Sequence, residues 1–223
     1  MTIQGAINKT VFLLLLLMVP AIWTWNRFTQ GDPGAASGAV GIGVIGGLIF
    51  GLITCFKKEW APVTAPIYAV CEGLFIGAIS ALLNQKMPGI VMQAAMLTFG
   101  TLFAMLAAYR TGWIRATEKF KAGIVAATGG IFFFYLICMV LNLFHVSTPI
   151  LYSSSALSIG ISFVIVAIAA LNLILDFDLI EQGAAVGAPK YMEWYAGFGL
   201  LVTLIWLYIE ILKLLAKLNS NRN

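Results

Sequence analysis

Predominantly apolar runs of membrane-spanning length recur along this chain, and no other feature limits its fold as tightly. An α-helix rises about 1.5 Å per residue, so roughly 20 apolar residues cross a hydrocarbon layer of about 30 Å. The segments "TVFLLLLLMVPAIWTW" and "SGAVGIGVIGGLIFGLITCF" are of this kind, and similar runs follow them with short polar breaks. Their spacing predicts helices near 8–25, 38–56, 62–83, 88–109, 123–144, 152–176 and 194–216. The expected fold is all-α, a polytopic membrane protein built as a seven-transmembrane-helix bundle.

The breaks carry suitable punctuation. "NRFTQGDPGAAS" reads as a turn-rich loop, "KKEWAP" and "NQKMPG" each place Pro near a helix start, and "HVSTP" separates the fifth and sixth spans. Trp23, Trp25, Trp60, Trp113 and Trp194 fall at expected span ends, where indoles favour the headgroup region, and Trp206 alone is internal. The first run passes into Trp-Asn-Arg with no small-residue cleavage site, so it is expected to be a helix and not a signal peptide. Only 10% of the 223 residues are charged, against about 25% in soluble chains, which makes the lipid bilayer the first partner. No polar stretch approaches the roughly 50 residues of a small soluble domain, so residues 1–223 are expected to form a single integral membrane domain.

The net charge of +4 comes from basic residues spread over short loops, which serve as topology signals and exclude a nucleic-acid surface. Lys9, Lys57, Lys58, Arg110, Arg115, Lys119, Lys121 and Lys190 fall on the side of the amino terminus, which the positive-inside rule places in the cytoplasm. An odd number of spans puts the carboxyl terminus outside, whereas Lys213, Lys217 and Arg222 argue for its return through a re-entrant late segment; both stay open, as does oligomeric state. Glycines 43, 47 and 51 give the second span a small-residue face suited to packing inside the bundle, with dimerisation the alternative. Cys55, Cys71 and Cys138 have no metal-binding or redox spacing and read as packing residues.

The acids are harder to place. Asp32, Glu59, Glu118 and Glu193 fall in loops or at interfaces. Glu72, about ten residues into the third span, lies near the midplane, where an acid costs about 2.5–3.5 kcal/mol on insertion scales and normally faces the bundle interior or a wet cavity. Glu210 sits beyond the midplane of the last span, with Lys213 at i+3 offering a same-face ion pair. In "LNLILDFDLIEQGAAVGAPK", Asp178 shares a helix face with Glu181, and Asn172 with Asp176. Three acids at the carboxyl end of a helix oppose its dipole. Collected in a pocket, they would make a proton-responsive latch or a calcium site near Asp178.

From "APIYAVCEGLFIGAIS" through "YRTGWIRATEKFKAG" to "LNLILDFDLIEQGAAVGAPKYMEWYAGFGLLVTLIWLYIEILKLLA", the sequence resembles the bacterial Bax inhibitor-1-like branch of the transmembrane Bax inhibitor motif superfamily. The resemblance implies a seven-helix fold with the last helix central, in a bacterial cytoplasmic (inner) membrane. It also implies a pH-sensitive calcium leak gated by carboxylates of the sixth and seventh helices beside a basic residue. By position, Asp178 is similar to the sixth-helix acid, with Asp176 as the neighbouring option, and Lys57 or Lys58 to the basic partner. The seventh-helix acid departs from the pattern: its place falls near Thr203, and Glu210 lies two turns later. Glu72 and Glu210 are therefore expected to supply a different ion or proton path.

The leading expectation is a pH-modulated cation leak, with calcium as the transported ion and no cofactor. The ion- or proton-sensing candidates are Glu72, Asp176, Asp178, Glu181 and Glu210, and the basic candidates Lys57, Lys58 and Lys213. The alternative is a non-conducting regulatory protein that binds another membrane protein, such as a quality-control protease. No enzyme is expected: His145 is the only histidine and reads as a loop residue, and "GIGVIGG" lacks a phosphate-loop lysine.

Overall fold

The computed structural model describes residues 1–31, 33–144 and 155–221, with the backbone alone at 33–36. Asp32, His145, Arg222 and the "HVSTP" break lie outside the described residues. The helices are α1 (Ile3–Thr29), α2 (Pro33–Phe56), α3 (Ala61–Lys86), α4 (Ile90–Arg110), α5 (Glu118–Leu143), α6 (Ala156–Ala185) and α7 (Tyr191–Ser220), with a 3₁₀ turn at Lys58–Trp60. Among the described residues seven helices are long and apolar enough to cross a membrane, and there is no strand. The fold is all-α.

Most helices outrun the apolar windows that announce them, because hydropathy marks the hydrocarbon crossing while hydrogen bonding continues into the interface. The turn-rich reading of "NRFTQGDPGAAS" gives way to a break of three residues between Thr29 and Pro33. Gly31 adopts φ +82°, the left-handed conformation that ends a helix, and Pro33 opens the next one, where its missing N–H is not needed. The larger correction concerns α6. With no proline or left-handed glycine before Gly187 (φ +63°), α6 runs to Ala185, so Asp176 and Asp178 lie within it and not at its end. The dipole conflict does not extend that far, since it fades beyond the last turn.

Two compact units share the chain. The first comprises Met1–Pro88 and Asp178–Val202, the second Gly89–Phe177 and Thr203–Asn223, so α6 and α7 contribute a segment to each. In the first unit, glycines let backbones approach. A Cβ on Gly73 would strike Leu17 and Pro20 of α1, and one on Gly77 would strike the Ala21 backbone. The glycine face of α2 meets α3 in the same way: a Cβ on Gly43 would lie 2.7 Å from the Cys71 carbonyl oxygen. That face is filled within the unit, as bundle packing requires.

In the second unit α5 is lightly seated. Only 11% of its most apolar window is buried, whereas 56% of the corresponding window of α7 is. Its buried residues are Ile124 and Cys138, 14 positions apart on one face, and Phe132, Phe133 and Met139 stand exposed as lipid-facing side chains would. Cys71 and Cys138 are buried, and Cys55 is exposed; all three are free thiols.

Candidate functional site

Three polar residues of α7 in the second unit, Thr203, Glu210 and Lys217, are spaced seven apart. Seven residues make nearly two turns, so the three lie along one face at intervals of about 10 Å. Each meets a polar group of a neighbouring helix. The Thr203 hydroxyl lies beside the Asp176 carboxyl of α6. The Lys217 ammonium donates to the Ser158 and Ser162 hydroxyls, both at 2.8 Å. These two contacts run α6 and α7 antiparallel, and both serines are almost fully enclosed.

Glu210 lies between them and is only 2% exposed. Tyr135 of α5 shares its hydroxyl proton between the two carboxylate oxygens, at 2.9 and 3.0 Å. Lys213 donates to Oε1 at 2.9 Å and sits 4.8 Å from the centre of the Tyr135 ring, a cation–π contact. The i,i+3 pairing read from the sequence therefore forms, joined by a phenol from another helix. One turn along α6 from Asp176, the Asn172 side-chain amide donates to the Thr128 hydroxyl of α5 at 2.8 Å and to the Ile168 carbonyl.

Asp176 is the exception in this well-paired set. Its Oδ2 is buried and accepts no hydrogen bond among the described residues. Buried polar atoms are nearly always partnered, so this carboxylate oxygen stands apart from the rest of the set. Thr203 occupies the position that the resemblance assigned to the seventh-helix acid, and the α6 carboxyl beside it is that of Asp176, the neighbouring option.

In the first unit, Glu72 is half-buried on α3, with the Tyr68 phenol beside it one turn earlier. Gly47 makes room for it, since a Cβ there would lie 2.7 Å from Oε1. Tyr68 stacks edge-on against Phe198 of α7, with ring centres 4.9 Å apart. Asp178 accepts from the Gln182 amide at 2.6 Å, and Glu181 is exposed. Lys57 is exposed, and Lys58 lies 5.0 Å from the centre of the Tyr195 ring. Among the described residues no three His, Cys, Asp or Glu side chains converge as metal ligands.

Glu193 corrects the sequence reading, which left it as an interfacial acid. It is 4% exposed, in the first turn of α7, and its Oε1 accepts from the Thr2 amide at 2.9 Å and the Thr2 hydroxyl at 3.1 Å. Thr2 in turn caps α1 by accepting from the Gly5 amide. The carboxylate thus faces the positive end of α1, and a Cβ on Gly5 would collide with it. Its neighbours continue the contact: Trp194 meets the Phe12 ring edge to face, with Lys9 over the Trp194 ring. Tyr135 and Glu193 were missed because a lone tyrosine in an apolar helix and an acid at a span end each look ordinary. The seven-residue spacing from Thr203 to Lys217 was a readable signal.

The family model described as Bax inhibitor 1 like matches residues 1–220. The chain belongs to the Bax inhibitor 1 like family, and its seven apolar helices make it a membrane protein of that type. Comparison with the curated proteins gave no match. Comparison with the solved structures gave none either.

Proposed function

We propose that this protein is a pH-modulated cation leak, with calcium the transported ion and membrane-embedded carboxylates lining its route. The observation that carries the reading is the orphaned Oδ2 of Asp176. An anionic oxygen without a donor in a membrane interior is costly, and a proton or a passing cation supplies the missing partner. Calcium takes carboxylate, carbonyl and hydroxyl oxygens, the donor types present at Asp176, Thr203 and Glu210. Modulation by pH follows from the two states of one group: protonated Asp176 offers a donor, and ionised Asp176 offers a ligand. Glu72 gives the first unit an acid of its own, and we assign it to the same transport.

The reading is of transport and not of catalysis. The membrane is the bacterial cytoplasmic one, with the amino terminus inside. Lys9 over Trp194 and Lys58 over Tyr195 support this orientation, since both lysines gather at the α7-start end of the first unit.

The test is calcium influx into dye-loaded liposomes that contain the purified protein. Wild type should pass calcium well above empty liposomes, and Asp176→Asn, Glu210→Gln and Glu72→Gln should each change the rate severalfold while eluting as folded protein. Influx equal to that of empty liposomes would overturn the proposal and leave the regulatory, partner-binding reading in its place.

A further inference from the structure

The second unit holds its carboxylate-bearing helices and α5 together in an uneven way. α5 contributes 26 residues, of which Ile124 and Cys138 are buried. Between those two, on the same helical face, lie Thr128 and Tyr135, seven positions apart. Thr128 is hydrogen-bonded to Asn172 of α6, and Tyr135 to Glu210 of α7. The hydrophobic effect gives little net attraction between helices in a bilayer, because lipid tails are as apolar as the side chains they replace, which leaves van der Waals packing and interhelical hydrogen bonds to hold them. The two side-chain hydrogen bonds, with the Lys213 ammonium over the Tyr135 ring, are the polar contacts that seat α5 on α6 and α7. Both hydrogen bonds end on polar side chains of α6 and α7, one on the Glu210 carboxylate itself. Lys213, the other group on that carboxylate, is 41% exposed and belongs to α7, so it moves with Glu210 and not with α5.

From this arrangement we infer that α5 is the gate helix of the second unit, latched shut over Glu210 by the Tyr135–Glu210 and Thr128–Asn172 hydrogen bonds. When the latch releases, α5 withdraws, the Glu210 oxygens lose their phenol donor, and a cation replaces it. The inference rests on the leak reading for its function. The movement itself has an independent reporter in Cys138, which is 6% exposed and shares the latching face.

The experiment uses the full chain with Cys55→Ser and Cys71→Ser, in liposomes, with Tyr135→Phe and Thr128→Val introduced singly. Modification of Cys138 by a small methanethiosulfonate reagent and calcium influx are measured on the same preparations. Loss of either hydrogen bond should raise the rate of Cys138 modification and the influx about three- to tenfold, the range expected for one such bond in a bilayer. A conducting parent in which both variants leave modification and influx unchanged overturns the gate. Raised modification with no influx in any preparation keeps the moving helix and overturns the leak. Where one variant elutes as aggregate the other carries the test, and Thr128→Ser, which keeps the hydroxyl, should behave as the parent; Thr128→Ser with modification and influx raised as in the variant that lost its bond overturns the latch.

Discussion

Glu193 and the Oδ2 atom of Asp176 are both withdrawn from solvent, and they differ in what reaches their oxygens. Glu193 accepts two hydrogen bonds from Thr2 at the positive end of α1, an arrangement that stabilises a carboxylate. Its role is structural: Glu193→Ala should cost about 1.5–3 kcal/mol, the usual range for bonds to a charged acceptor, seen as a lower melting temperature in detergent. Asp176 keeps one oxygen unanswered, so Asp176→Asn should leave the melting temperature nearly unchanged or raise it while altering transport. Glu210 is a third case, with a charge partner and a phenol. Lys213→Ala strands a buried carboxylate, but the half-exposed lysine and the remaining Tyr135 bond moderate the loss to about 1–3 kcal/mol. A melting temperature unchanged by Lys213→Ala would show that the ion pair contributes nothing to the fold.

At the scale of helices, the glycines separate packing from tolerance. Gly77 lies against the Ala21 backbone, so Gly77→Ala should destabilise the protein by about 1–3 kcal/mol through overpacking. Gly130 of α5 has nothing within 4 Å of a Cβ position, so Gly130→Ala should be neutral or stabilising by thermal melting. Equal losses for the two would contradict the packing described for α1 and α3. The helices themselves were legible in the sequence, because a 20-residue apolar run has few alternatives in a membrane. Their ends were not: Gly187 and Pro33 decide boundaries that lie in the interface, where hydropathy is silent. The Glu210–Lys213 pair was readable because i,i+3 is local. Tyr135 on Glu210 and Asn172 on Thr128 span 75 and 44 residues of sequence, and no spacing rule reaches that far. Asp176 was legible as an acid, yet its orphaned oxygen depends on what the neighbouring helices fail to offer.

For the whole molecule, family membership and the seven long apolar helices among the described residues fix the class, and the distribution of acids carries the proposed activity. Each compact unit has its own intramembrane carboxylate, Glu72 in the first and Asp176 with Glu210 in the second. A bilayer tolerates such groups where they are paired or where they work, and among the described residues Asp176 carries the buried side-chain oxygen without a hydrogen-bond partner. The most direct measurement is therefore the pH profile of calcium influx, between about pH 6 and 8, for wild type and Asp176→Asn in matched liposomes, a range in which perturbed carboxyl groups titrate. The account predicts an influx that changes with pH in wild type and a flat profile in Asp176→Asn, whose amide cannot ionise. Wild-type influx that varies with pH and keeps the same profile in Asp176→Asn would contradict it.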